Sequence, residues 1–137
     1  MLKKTVRLAA KTVPAVLLLL LLFLLFTELT GIEFYQITGS SMEPSFHPGD
    51  IAVVDRRNTD PEPGEAIAFL PDEEGPLVVV HRVIGKRRQG ACILYRTRGD
   101  ANETADFAEI SQSAVKGTVI GRIPGLLTPG LTTSGNS

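Results

Sequence analysis

A single cysteine, Cys92, excludes an intramolecular disulfide and a thiolate metal cage. Histidine is almost as scarce. His47 and His81 are the only two, too few for a His-rich metal centre, so no metal and no other cofactor is expected. A concentrated basic face is lacking too. Lys3, Lys4, Arg7 and Lys11 give +4 in the first eleven residues with no acid among them, while the rest of the chain holds ten bases against fifteen acids, or −5. Binding to nucleic acid draws on counterion release from clustered positive charge, and that partner class is set aside. The densest basic cluster, Lys86-Arg87-Arg88, reads as an exposed turn ahead of Gly90. Beyond the N-terminal segment no stretch sustains a 3.6-residue apolar period, and no internal repeat is present. The 137 residues suffice for one small domain with one modest core, not two.

What the chain does have, first of all, is an unbroken apolar run from Val13 to Phe26, with Pro14 near its start where a helix tolerates it. As a helix these residues cover about 21 Å, less than the roughly 30 Å hydrocarbon core of a bilayer. Extension from Thr12 to Ile32 reaches sufficient length, with Glu28 the only charge and close to the far end. A cleavable signal peptide has a similar basic and apolar layout. No small-x-small site follows Phe26, however, and Thr27-Glu28-Leu29-Thr30-Gly31 is a poor substitute, so a retained anchor in the lipid bilayer is favoured. The basic flank predicts a cytoplasmic N-terminus and a domain on the outer side of the cell membrane.

Past the span the pattern changes to short runs rich in Val, Ile, Phe and Tyr, separated by Gly, Pro, Asn and Asp. Strands are predicted over Glu33–Thr38, Asp50–Asp55, Glu65–Leu70, Leu77–Ile84, Ala91–Arg98 and Val115–Ile123, with Asn102–Ser113 as the longest irregular connection. The fold class is mostly β, a twisted antiparallel sheet folded over on itself. The expected organisation is a cytoplasmic basic segment (1–11), an anchor (12–32), a β-rich domain (33–124) and a flexible tail (125–137). Within Ile123-Pro124-Gly125-Leu126-Leu127 the apolar residues are expected to reach the membrane surface.

Three motifs follow one another in a fixed order. Gly39-Ser40-Ser41-Met42-Glu43-Pro44 leads through Pro48-Gly49-Asp50 into an apolar strand; then come Val80-His81-Arg82-Val83-Ile84-Gly85, and Arg98-Gly99-Asp100 with Asp106 beyond. A serine hydroxyl is inert at neutral pH unless a base takes its proton, and the base needs a partner that fixes its tautomer. Ser, His and Asp supply these roles, but any chain of this length holds all three types. Their order behind a membrane span carries more weight. It resembles the type I signal peptidases, over most of the chain from the anchor to about Pro124. In the ordinary bacterial branch a lysine stands before the Arg, apolar pair and Gly; here His81 holds that place, as in the branch of the endoplasmic reticulum, archaea and some Gram-positive bacteria.

The resemblance implies a membrane-bound serine endopeptidase that removes signal peptides with small-x-small sites from exported preproteins, with accessory membrane subunits as possible partners. It implies Ser41 as nucleophile, His81 as general base, and Asp100 and Asp106 as the residues that orient the imidazole or shape the site. Asp100 is the first choice, because it follows Gly99 at a strand end. An ordinary imidazole, with a pKa near 6.5, serves as a base without the burial that a lysine needs. The Ser41 amide is the natural oxyanion donor, and Gly39, Ser40 and Met42 are the other candidates for the oxyanion and substrate site. Many relatives carry a serine where this chain has Gly39, so the second donor stays open between the Ser40 hydroxyl and a backbone amide. Substrate is expected to pair as an added strand near Ile37-Thr38 and Leu77 to Val80. His47 reads as a turn residue, and the acceptor pattern Asn102-Glu103-Thr104 as chance. Two rivals remain: a self-cleaving repressor-type protease, which would be soluble and lysine-dependent, and a non-catalytic anchored β-domain or inactive subunit of a processing complex.

Overall fold

In the computed structural model, residues 1–72 and 75–125 are described, apart from the side chains at 5, 7, 8, 9 and 11. The tail beyond Gly125, including Leu126 and Leu127, lies outside the described residues. Two compact units make up the chain, divided after Ile32.

The first unit is the helix α1, Leu2–Thr30. Leu repeats favour helix, and in Thr12–Thr30 no side chain is buried within the protein; this 19-residue stretch has a mean hydropathy of 2.4 and is long and apolar enough to cross a membrane. Thr27 and Thr30 turn their hydroxyls back onto the carbonyls of Leu24 and Phe26. Gly31 ends the helix in the left-handed region, φ 72°, where a residue without Cβ carries no steric cost.

The second unit is one curled sheet of seven strands: β1 (Ile32–Gln36), β2 (Ile51–Asp55), β3 (Ala66–Phe69), β4 (Val79–Gln89), β5 (Cys92–Arg98), β6 (Ile110–Ser111) and β7 (Val115–Ile123). Their order is β1-β2-β7-β3-β4-β5-β6, with antiparallel ladders from β2 through to β6. Six strands lie where the hydrophobic alternation puts them. Two features differ from expectation. The Lys86-Arg87-Arg88 cluster is not a turn but the outer half of β4, because Lys86 pairs with Asp60 and Glu62 and Arg87 with Glu109, so the charges are held on the strand. The Asn102–Ser113 connection also contains β6, two residues long and too short to show any period.

β3 is buried along its whole length. Its alternate side chains enter two clusters: Ala66 and Ala68 join Ile37, Met42, Phe46, Ala52, Val54 and Val80, while Ile67 and Phe69 join Val83, Tyr95, Ile110, Ala114 and Val115. The sheet thus wraps around a strand that has no solvent face.

The β4–β5 hairpin is regular over its outer half only. Gly90 and Ala91 form its two-residue turn, with Gly90 at φ 62°, and the strands pair evenly from Gln89↔Cys92 to Gly85↔Arg96. Ile84 is then skipped: Val83 pairs with Thr97 and Arg82 with Arg98. This one-residue bulge changes which face each later side chain takes.

Candidate active site

Ser41 sits in the loop between β1 and β2, which is pinned from below and from the side. Met42 and Phe46 are buried at 1% and 7% exposure, and the Phe46 N–H donates to the Met42 carbonyl at 2.9 Å. From the side, the Ala101 N–H donates to the Ser41 carbonyl at 2.9 Å. That contact needs Gly99, where a Cβ would stand 2.5 Å from the Ser41 carbonyl oxygen and 2.8 Å from Asn102 Nδ2. At the far end of the loop, Asp50 takes the His47 and Gly125 N–H groups, and these hold its carboxyl below the usual range; His47 itself is an exposed turn residue.

His81 projects from β4 against the edge of Phe69, with ring centroids 6.1 Å apart. Its Nε2 lies 3.1 Å from Ser41 Oγ, and its Nδ1 lies 2.6 Å from Asp106 Oδ2. The same carboxylate oxygen accepts from the Thr97 hydroxyl at 2.6 Å, and the Asp106 N–H donates to the Thr97 carbonyl at 2.8 Å. Thr97 is fully buried, so Asp106 is held by a rigid strand although it belongs to a loop. The His81 side chain is 12% exposed and that of Asp106 22%, which places the pair at the rim, within reach of solvent.

Asp100, the expected first choice beside the imidazole, is elsewhere. It receives a bidentate pair from Arg82, Nε to Oδ1 at 2.8 Å and Nη2 to Oδ2 at 2.6 Å, and the Ser45 hydroxyl at 2.6 Å. The Arg82 guanidinium, and after it Ser45, hold its carboxyl below the ordinary carboxylate range. The bulge at Ile84 sets Thr97 opposite Val83, on the face that His81 shares, and Arg98 opposite Arg82. Beyond the end of β5, the turn in which the Asn102 N–H donates to the Gly99 carbonyl carries Asp100 to Arg82. Thr97 and Ser45 are not singled out by the sequence, and Arg82 and Gly99 stand in its motifs without these contacts; an Arg directly after His81 was the one available signal of a carboxylate partner.

A cleft of about 500 Å³ runs beside Ser41. Tyr35–Gly39 and Pro76–Val80 line it, with Ser41 and Met42. These are the two edges expected to pair with substrate. Among the described residues nothing in that lining is charged: burial first, and Glu33 second, push the Tyr35 phenol up to about 12, so it stays neutral. Gly39 lines the cleft and would leave open space around a Cβ. Ser40 is exposed, and its carbonyl accepts from the Glu43 N–H. Met42 belongs to the core as much as to the cleft. Among the described residues, the Ser41 N–H has no acceptor.

Lys86, the lysine nearest His81 in sequence, is not exposed as expected. Its ammonium lies 2.8 Å from both Asp60 Oδ1 and Glu62 Oε1, and the hydrogen bonds to Asp60 and then Glu62 raise its pKa above the usual lysine value. It stays protonated.

The profile of the family described as signal peptidase, peptidase S26, matches residues 8–93, a stretch that includes Ser41 and His81. The chain is 32% identical over 94 residues to signal peptidase I W of Bacillus subtilis (strain 168), covering 66% of this chain and 48% of that protein. It is 33% identical over 105 residues to the signal peptidase complex catalytic subunit SEC11C of Homo sapiens, and equally to that of Mus musculus, covering 72% of this chain and 55% of each relative. The chain therefore spans about half the length of the curated relatives it matches. With His81 where the other branch has lysine, this chain belongs to the signal peptidase family, peptidase S26, in its endoplasmic-reticulum and archaeal-type branch.

Proposed function

We propose that this protein is a membrane-anchored serine endopeptidase that cleaves signal peptides from exported preproteins. Ser41 is the nucleophile, His81 the general base and Asp106 the residue that orients the imidazole. The observation that carries this reading is the continuous path from Ser41 Oγ through both imidazole nitrogens to Asp106, at 3.1 and 2.6 Å. An Nδ1–H donated to Asp106 leaves the Nε2 lone pair facing the hydroxyl, the arrangement that lets a serine attack a carbonyl. The non-catalytic reading would want these two side chains apart.

Ser41 Oγ adds to the carbonyl carbon of the last signal-peptide residue while Nε2 takes its proton. The oxyanion turns to the unpaired Ser41 N–H. His81 then returns the proton to the leaving amine, the mature protein departs, and water repeats the sequence on the acyl-enzyme. The uncharged cleft suits an extended peptide with small apolar side chains, paired to the Ile37-Thr38 and Leu77–Val80 edges as an added strand. The four N-terminal bases support a cytoplasmic N-terminus with the domain outside.

The reading is tested by adding the purified full chain, in detergent or lipid vesicles, to a preprotein with a small-x-small site. Cleavage at that site is expected, and cleavage by the chain alone would mean that partner subunits of the kind named in its relatives are dispensable. An inert preparation with and without a membrane extract that supplies such subunits sinks the proposal.

Gly99 gives a second test. Gly99→Ala forces a Cβ against a backbone oxygen that cannot swing away, so the Ser41 loop has to move. Displacement of a nucleophile by about 1 Å costs on the order of a hundredfold in rate. A kcat within twofold of wild type in Gly99→Ala would show that the loop does not depend on this close approach.

A further inference from the structure

Nothing in the catalytic path uses Ser45, yet its hydroxyl closes a ring of three side chains. It donates to Asp100 Oδ2 at 2.6 Å and accepts from Arg82 Nη2 at 3.3 Å, while Arg82 grips the same carboxylate at both oxygens. The third guanidinium nitrogen, Nη1, donates to the Gly64 carbonyl at 2.8 Å, so the Arg82 fork is fixed on its other side as well.

The place of this ring in the chain is what gives it a consequence. Ser45 lies in the loop that carries Ser41, Arg82 follows His81 on β4, and Asp100 sits just after Gly99, in the turn whose Ala101 N–H holds the Ser41 carbonyl. Met42 and Phe46 seat the loop by apolar packing, which resists lifting but is not directional. Ser45 supplies a directional, charge-assisted tie between the nucleophile's loop and the strand of the base. We propose that Ser45 is a positioning residue of the reaction: its hydroxyl, through Asp100 and Arg82, sets the separation of Ser41 Oγ and His81 Nε2. This rests on the serine–histidine reading above.

Because Ser45 is exposed, removal of its hydroxyl leaves no cavity and little effect on the fold. Ser45→Ala is expected to lower kcat about tenfold with KM nearly unchanged, since the cleft is not altered. Ser45→Thr keeps the hydroxyl, has solvent for its methyl, and should restore kcat to within about twofold. The Ser45→Ala, Asp100→Asn double variant should be no slower than Asp100→Asn alone, because both substitutions open the same ring. The rate at which a fluorophosphonate labels Ser41 reads the same loop geometry without a peptide. It should fall with Ser45→Ala and recover with Ser45→Thr.

If wild type is labelled at Ser41 but cleaves no preprotein with or without the membrane extract, the peptidase reading fails and the labelling rates still decide the role of Ser45. Wild-type kcat and labelling in Ser45→Ala, a Ser45→Thr variant as slow as Ser45→Ala, or losses that multiply in the double variant would each overturn the proposal. So would a wild-type Ser41 that no fluorophosphonate labels, since it would leave no activated serine to position.

Discussion

His81→Ala is expected to remove cleavage of a small-x-small preprotein almost completely, a loss of about 10⁴-fold or more in kcat, as is Ser41→Ala. Each removes one end of the 3.1 Å contact, and members of such a pair act as a unit, so the double variant should be no worse than either single one. Lys86→Ala is the control. Its ammonium is committed to Asp60 and Glu62, which raise its pKa, and an ammonium that keeps its proton cannot take one from a serine. Turnover should therefore stay within about threefold of wild type. The measurement is single-turnover cleavage, with circular dichroism to show that the variants are folded. An active His81→Ala, or a Lys86→Ala variant as inert as Ser41→Ala, would mean that the base has been assigned to the wrong side chain.

The two aspartates should fail in different ways. Asp106→Asn keeps the shape but presents Nδ1 with an amide, which stabilises the wrong tautomer, and kcat should drop by about 10³- to 10⁴-fold. Thr97 keeps a side-chain partner in that variant, so the melting temperature should change little. Asp100→Asn leaves the imidazole's own partner in place and breaks the bidentate pair with Arg82, so beside a kcat loss of about tenfold from the opened ring its signature is stability and its dependence on pH. The folded-state pKa of Asp100 lies below its unfolded value near 3.9, so the folded protein favours the charged form. The associated stability is complete above about pH 4 and is lost as pH falls through the depressed folded pKa. In Asp100→Asn that stability is missing at pH 7, and the melting temperature falls less steeply below pH 4 than in wild type. A parallel acid limb in the two proteins, or a larger kcat loss at Asp100 than at Asp106, would reverse these roles.

Much of this architecture is legible in the amino-acid sequence. The Leu-rich run, the alternating Val and Ile segments and the punctuation by Gly and Pro are local signals, and local signals place strands. Ser41 and His81 stand out for the same reason, each inside a short motif with its own neighbours. The choice between Asp100 and Asp106 is not legible, because it turns on a register. Asp100 is favoured in the sequence because it follows Gly99 at a strand end, but that position says nothing of which side chain its carboxylate meets. The register of the hairpin is set by a single skipped residue, Ile84, and nothing in the composition of Val83-Ile84-Gly85 announces the bulge. Asp106 is obscured by distance of another kind, since its loop is folded back onto Thr97 by contacts between residues nine apart in sequence. The misplaced Lys86-Arg87-Arg88 turn has a related cause. A run of charges looks solvated until the acids that meet it, Asp60, Glu62 and Glu109, are brought in from elsewhere in the chain.

The doubly buried β3 leaves the protein with two kinds of mutational tolerance. On one side its residues are large: Ile67 and Phe69 pack with Val83, Tyr95 and Val115, and Phe69 also meets the His81 ring, so a truncation there weakens the fold and, at Phe69, loosens the imidazole. On the other side Ala66 and Ala68 pack with Ile37, Met42, Phe46, Ala52, Val54 and Val80, among them Met42 and Phe46, which seat the Ser41 loop, and Ile37 and Val80, which line the cleft. A methyl added at either alanine has to be taken up by this cluster. Sequence drift in the second cluster therefore bears on the seat of Ser41 as well as on the fold, and drift at Phe69 on the seat of His81. A change at Ala66 or Ala68 is expected to lower turnover while Ser41, His81 and Asp106 are all still in place.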